Sequence, residues 1–288
     1  MGRSRAGDYA RRFTRVFDHI DQHLQQPLNI ERLSQVAHFS RFHFQRQFAA
    51  YCGVSVARYI QLQRLRRASY QLVFQPLLRI TDIALDAGFE NPESFSRAFK
   101  HAFGQTPSAF RRAPDWAHWQ TRFPVPVRER MEDMDVKIMV VDTVRVAALE
   151  HRGAPERVND SASRFIEWRK ESGLSPLTSS QTYGIAYDNP DTTAAADFRF
   201  DICGSVAGPV PANRQGVVAK EIPGGRCAVL RHVGSHQRLG ESVYCLYRQW
   251  LPSSGESLRD FPVYFLYLNL VGATPEHLLQ TDIYLPLS

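Results

Sequence analysis

The sequence has little of what builds an exported, membrane-embedded or metal-centred protein. Its 288 residues include four cysteines, Cys52, Cys203, Cys227 and Cys245. They are too sparse for a disulfide framework and lack the Cys-x-x-Cys spacing of a zinc site, so reduced, partly buried thiols are expected. No run of about 18 apolar residues occurs, which excludes a membrane-spanning helix. The opening stretch MGRSRAGDYA has no apolar segment behind its arginines, so a cytoplasmic, nucleoid-associated protein is expected. There is no His-Glu-x-x-His, no phosphate-binding glycine loop and no nucleophile elbow, and so no zincin, nucleotide-hydrolase or α/β-hydrolase chemistry. His232 and His236 straddle a Gly-Ser turn, and four residues outside a helix do not make a metal site. No catalytic residue, metal or cofactor is assigned.

What is present is unevenly spread. Net charge is +6 overall, but residues 1–112 hold 17 Lys and Arg against 8 Asp and Glu, leaving 18 against 21 for the rest. A basic half beside a slightly acidic half points to a polyanionic partner for the first, since neutralising phosphates releases counterions. With 43% hydrophobic residues and this length, two packed domains are expected.

The basic half contains a repeat. LNIERLSQVAHFSRFHFQRQFAAYCG (28–53) and LRITDIALDAGFENPESFSRAFKHAFG (78–104) each read as a short helix, a tight turn and a longer helix. Ile30, Leu33, Ala37 and Phe39 recur 50 residues on, as Ile80, Ile83, Ala87 and Phe89. After the turn the offset is 51, pairing Phe44, Phe48 and Gly53 with Phe95, Phe99 and Gly104, so the second turn is one residue longer. Residues four apart stack on one helix face. Phe44, Phe48 and Tyr51 therefore point inward, leaving Arg41, Phe42, Gln45 and Arg46 outside. In the second unit Phe95, Phe99 and Phe103 form the buried stripe, while Glu93, Ser96, Arg97 and Lys100 face outward. Arginine and glutamine make bidentate contacts with guanine and adenine in the major groove. Asn91 followed by Pro92 reads as a helix cap and first helical residue.

Between the units, SVARYIQLQRLRRASYQLVFQ mixes apolar residues with Arg58, Arg64, Arg66 and Arg67 and reads as one long helix. Such a spacer would hold two readers at the roughly 34 Å that separates successive major-groove turns.

These residues resemble the AraC/XylS-type regulators, whose DNA-binding region pairs two such units on a long helix. The resemblance runs from about Tyr9 to Arg112 and is densest in DIALDAGFENPESFSRAFKHAFGQTPSAFRR. It implies base reading from the positions of Phe42, Gln45 and Arg46, and from those of Glu93, Ser96 and Arg97. Pro92 and Glu93 stand where relatives carry neutral polar side chains, so the first unit is expected to hold most of the specificity.

A linker is expected over 113–135, where APDWAHWQTRFPVPVRERMEDMD has three prolines and clustered charge. Beyond it VKIMVVD, VRVAALEHRG, a helical stretch at 158–172, QTYGIAYD and FRFDICGSV read as strand, strand, helix, strand, strand. The pattern recurs through GVVAKEIP, RCAVLRHVG, a helix over about 239–250, PVYFLYLNL and LLQTDIYLPL. The fold class expected is thus two domains: an all-α N-terminal domain with two helix-turn-helix units joined by a long helix (1–112), then an α+β C-terminal domain of two strand-strand-helix-strand-strand repeats (136–288).

From about Met134 to Ser288 the sequence resembles the gyrase-inhibitor-like (GyrI-like) effector-binding domains, most clearly in GGRCAVLRHVGSH, LYRQWLPSSG and LLQTDIYLPL. The domain order is similar to that of Rob-type regulators in the AraC family. The resemblance implies a cleft for small molecules, and the aromatics that could line it are Tyr187, Trp250, Tyr264, Phe265 and Tyr267. Many relatives carry a glutamate in the penultimate strand that balances cationic ligands; here PVYFLYLN puts Phe265 there, and Leu270 and Val271 replace the acidic-proline pair that follows. An apolar or neutral ligand, or none, fits that change better. The function expected is a DNA-binding transcription regulator, an activator working with RNA polymerase on double-stranded DNA, that senses a small-molecule effector or a protein. The alternative is a DNA-tethered GyrI-like hydrolase of a small reactive compound.

Overall fold

A computed structural model describes residues 5–120 and 135–288, the side chains of 5–11, Phe42, Ala117 and Gln120 excepted. It divides into two compact units, one holding the helices of the first 120 residues together with Val271–His277, the other holding the sheet and its helices.

The first unit contains α1 (Arg5–Gln22), α2 (Ile30–Val36), α3 (Arg41–Cys52), α4 (Val56–Phe74), α5 (Ile80–Asp86), α6 (Pro92–Phe103), α7 (Pro107–Arg112) and α8 (Trp116–Gln120). The ends of these helices follow from local chemistry. Asn29, Ser40, Ser55, Asn91 and Thr106 sit in extended conformation and accept a backbone N–H of the first turn, satisfying donors that a helix start leaves free. Gly53 and Gly104 close α3 and α6 at φ of 71° and 72°, where a Cβ would be strained.

α4 is buried along most of its circumference, and that places the two halves of the unit. Val56, Tyr59 and Ile60 join Phe13, Val16, Phe17 and Ile20 of α1 and Leu33, Phe44 and Phe48 of α2 and α3 in one core. Leu62, Leu65, Ala68 and Leu72 join Ile83, Phe95, Phe99, Phe103 and Phe110 in another. One helix of 19 residues thus serves as the wall of both cores, so neither α2–α3 nor α5–α6 can turn without disturbing packed aromatic rings.

α8 lies in the stretch read as linker. Trp116 and Trp119, three residues apart, are 1% and 2% exposed in the second core, and the Trp119 indole N–H donates to Ser69 Oγ of α4 at 2.7 Å. Their large apolar area outweighs the turn signals of the flanking proline. The rest of that stretch, 121–134, lies outside the described residues.

Val271–His277 adds an ion pair to this unit. The Arg66 guanidinium donates to both carboxylate oxygens of Glu276, through Nε at 3.0 Å and through its second nitrogen. Their side chains are 10% and 15% exposed. Gln75 donates to the Gly272 carbonyl.

The second unit is an eight-stranded antiparallel sheet of β1 (Val136–Val141), β2 (Val144–Arg152), β3 (Thr182–Ala186), β4 (Arg199–Ser205), β5 (Val218–Ile222), β6 (Gly225–Val233), β7 (Val263–Tyr267) and β8 (Gln280–Pro286), in the order β1-β6-β8-β7-β3-β4-β2-β5. α9 (Val158–Ser172) follows β2. α10 (Leu239–Cys245) follows β6 and runs on through a π-helical stretch, Leu246–Trp250, into α11 (Leu251–Ser254). Pro252 has no N–H to donate, which accommodates the change of helical register there.

β2, β3, β4 and α9 begin at Val144, Thr182, Arg199 and Val158, and β6, β7, β8 and α10 begin 81 residues later, at Gly225, Val263, Gln280 and Leu239. Side-chain detail repeats too. His151 Nδ1 shares a hydrogen bond with Ser161 Oγ at 2.9 Å, and His232 Nδ1 with Ser242 Oγ at 2.8 Å. Exchanging the halves reverses the strand order onto itself, with β3 and β7 at the centre.

The sheet buries both faces. α9 and α10 cover one, where Leu149, Phe165, Trp168, Phe200, Ile202, Leu230, Leu246, Phe265 and Ile283 pack together. The other carries Val146, Tyr183, Ile185, Cys203, Val229, Tyr264 and Leu266. The sheet curls around that second face: β1 and β5 are its opposite edges, yet the Gly224 N–H just after β5 donates to Thr143 Oγ1 just after β1 at 2.9 Å.

Candidate functional site

The two longer helices α3 and α6 present what a groove-reading surface needs. On α3, Phe44 and Phe48 are fully buried, which turns Arg41, Gln45 and Arg46 to solvent. The Phe42 side chain lies outside the described residues. Gln45 and Arg46 are exposed, whereas Arg41 reaches back to Glu31 of α2 at 2.7 Å, with both side chains more than half exposed. An exposed pair of this kind is weak and yields readily to phosphate.

On α6, Phe95, Phe99 and Phe103 are buried, Glu93, Arg97 and Lys100 are exposed, and Ser96 is half-buried. Arg97 donates to Ser94 Oγ at 3.2 Å. Asn91 caps the helix by accepting from the Ser94 N–H at 2.8 Å, and Pro92 occupies the first turn. Glu93 sits in that same turn, where its charge complements the helix dipole. The turns before α3 and α6 solve one problem in two ways. His38 adopts φ 52° where the second turn uses Gly88 at φ 76°. The strained His38 is held by Arg12, which donates to its carbonyl at 3.1 Å.

The five aromatics read as cleft residues do not form one group. Phe265, Tyr267 and Trp250 pack on the helix-covered face. Tyr264 and Tyr187 belong to the opposite face, because neighbouring residues of a strand point to opposite sides. Tyr264 stacks on Tyr284 at 4.8 Å between ring centroids. The Tyr187 hydroxyl donates to Asp201 Oδ2 at 2.8 Å, and Lys220 Nζ donates to Asp201 and Glu150, each at 2.6 Å. Burial opposes the Lys220 charge, but the two carboxylates outweigh it and hold the ammonium above its usual range. Tyr187 is thus fixed in an ion cluster that ties β2, β4 and β5.

On the helix-covered face the centre of the sheet is aromatic. Gly184 of β3 pairs with Phe265 of β7, and Phe265 stacks on Phe200 with ring centroids 6.3 Å apart. A Cβ on Gly184 would meet the Phe200 ring at 2.5 Å and the Tyr267 hydroxyl at 2.8 Å, so glycine there is what lets these rings lie across β3. Phe265 is 7% exposed. Three features have surroundings that the sequence reading does not give them: the buried Arg66–Glu276 pair, the buried Thr281, and His236, whose ring lies 4.9 Å from that of Tyr267. Strand alternation in LLQTDIYLPL could have placed Thr281 on the Phe265 side; nothing local announced the other two. Among the described residues, no group of three or more His, Cys, Asp or Glu could hold a metal ion, and no helix is long and apolar enough to cross a membrane.

Residues 134–288 match the GyrI-like small molecule binding domain, and residues 33–113 match a helix-turn-helix domain. Among known proteins, the chain is 50% identical over 155 residues to the probable transcriptional regulator YgiV of Escherichia coli strain K12, covering 54% of this chain and 97% of that one. It is 29% identical over 176 residues to the right origin-binding protein of the same strain, covering 59% of this chain and 60% of the other. Among solved structures, the EcmrR C-terminal domain aligns with 54% of this chain and 98% of its own at 15% identity, with a TM-score of 0.46. By the match over its second half and the extent of the YgiV likeness, the chain belongs to the GyrI-like small-molecule-binding family, here preceded by an AraC-type helix-turn-helix domain in the Rob-type order.

Proposed function

We propose that the protein is a DNA-binding transcription regulator, with α3 and α6 as the recognition helices of two helix-turn-helix units reading one asymmetric site and the second unit sensing a small molecule. The observation that carries this reading is α4. Both helix pairs are built into cores that α4 walls, and at about 28 Å for 19 residues it sets a fixed spacing comparable to one turn of the duplex. Gln45 and Arg46 then read bases from α3, with Ser96 and Arg97 doing so from α6. Arg41 and Lys100 serve phosphate, and Glu93 stays a first-turn acid. The reader extends through α8 to Gln120 and the sensor begins at 136. Promoter activation through RNA polymerase is the expected output, in keeping with the regulatory names of the relatives. Selection from random duplexes with the full chain should return one motif with two half-sites a helical turn apart, the one facing α3 more sharply defined. Recovery of no motif refutes the reading.

A further inference from the structure

Two buried polar atoms without partners lie together beside Tyr267 in the second unit; the other such atoms there among the described residues, Arg169 Nε and Arg259 Nε, belong to guanidinium groups that donate through their remaining nitrogens. Thr281 of β8 is 0% exposed and its Oγ1 makes no hydrogen bond; His236, in the turn before α10, has its Nε2 buried and unbonded. Both flank Tyr267: Thr281 is its direct partner across β7 and β8, and the His236 ring is 4.9 Å from its ring. An unsatisfied buried polar atom is costly, and native structures keep few of them.

The 81-residue internal correspondence supplies the control. The residues matching Thr281, Tyr267 and His236 are Phe200, Ala186 and Pro155, all apolar. The fold therefore does not require polarity at these positions. His232, close by, is satisfied through Ser242 and the Ser235 carbonyl, so the unpartnered atoms beside Tyr267 are those of Thr281 and His236.

We infer that Thr281 and His236 form the polar end of a ligand site on the helix-covered face, and that its ligand is an uncharged, flat molecule carrying one hydroxyl or carbonyl group. The apolar end is the surface of Phe265 and Phe200, which takes the ring system of such a molecule. The hydroxyl of Thr281 can donate or accept, and a neutral imidazole does one or the other according to its tautomer, so a single head group completes both. Charge is disfavoured on two counts. Phe265 stands where a carboxylate would balance a cation, and the carboxylate nearest in sequence to the His236 turn, Glu241, is paired with Arg238 at 3.2 Å. Burial holds His236 well below its usual range, at about 4, so it stays neutral and offers an anion no charge.

This inference rests on the sensing role proposed for the second unit, and three probes separate the two. Calorimetric titration of the full chain with 2-naphthol, naphthalene and tetraphenylphosphonium compares a neutral ring with a head group, a bare ring and a lipophilic cation. The expected result is that 2-naphthol binds at least about tenfold tighter than either of the others, as one hydrogen-bonded group in a buried site supplies. Thr281→Val and His236→Phe should each shrink the gap between 2-naphthol and naphthalene. Equal binding of 2-naphthol and naphthalene, or tightest binding of the cation, overturns the inference and leaves the sensing role standing. Binding of none of the three overturns the inference and counts against the sensing role as well, while the DNA selection stands independently.

Discussion

Replacing Glu276 by glutamine tests whether Val271–His277 is an integral part of the first unit. The change keeps the shape of the side chain and removes the charge that Arg66 faces. Because Arg66 and Glu276 are 10% and 15% exposed, solvent cannot take over the lost partner, and breaking a buried pair in this way costs about 3–5 kcal/mol. The amide oxygen still accepts one of the two Arg66 bonds, but the amide nitrogen confronts a guanidinium N–H, so the lower end, about 3 kcal/mol, is expected. Removing both charges should cost far less: Arg66→Met with Glu276→Leu leaves no buried ion and should return stability to within about 1 kcal/mol of the parent. Hydrogen exchange of the α4 amides reads the first unit by itself. Where exchange follows unfolding of the unit, 3 kcal/mol corresponds to roughly 150-fold faster exchange. A change below about fivefold in Glu276→Gln, or equal acceleration in the single and double variants, refutes the reasoning.

Arg46→Ala should weaken DNA binding by about 1–3 kcal/mol and relax preference at one base pair, as for a bidentate base contact; uniform weakening over all sequences, measured by gel shift on mutated sites, would make Arg46 a phosphate ligand. The depressed His236 gives a signed pH dependence. Its folded-state value of about 4 lies below the ordinary 6.5, so the unfolded chain binds the extra proton first, and stability present above pH 6.5 is lost as pH falls toward 4, by about 3 kcal/mol at most. Urea titrations across that window should be flatter for His236→Phe than for the parent, and identical slopes would contradict the burial of the ring. Gly184→Ala drives a methyl group against the Phe200 ring and the Tyr267 hydroxyl; the displaced rings should lower stability by about 1–3 kcal/mol, seen as a reduced denaturation midpoint, and an unchanged midpoint would mean that the rings have room to move.

Much of the first unit was legible because its signals are local and periodic. The phenylalanine stripes at 44–48 and 95–103, the Asn91 cap and the glycines at 53 and 104 each state a helix face or a helix end in a few residues. α9 has the bounds expected from the sequence, Val158–Ser172. α8 escaped because Pro114 and the charge run beyond it outvoted two tryptophans whose burial depends on α4, some 50 residues earlier. The division of the five aromatics between two faces was partly readable, since Tyr264 and Phe265 are adjacent and must oppose each other. Which face the helices cover depends on strand order, and β1 pairs with β6 rather than with its neighbour β2. No local pattern encodes that choice, nor the partnership of Arg66 with a glutamate 210 residues away.

The long reach of that ion pair bears on the order in which the chain is made. When α1 to α8 have left the ribosome, every aromatic of the two helical cores is present, but Arg66 still has to wait for most of the remaining polypeptide before Glu276 emerges. Until then the segment that covers its guanidinium does not exist, so the stabilisation that comes from burying this pair is added only after most of the sheet has been synthesised. A recombination event that moved the helices alone would leave the pair behind, so this buried contact travels only when both segments, 210 residues apart in the chain, are carried together.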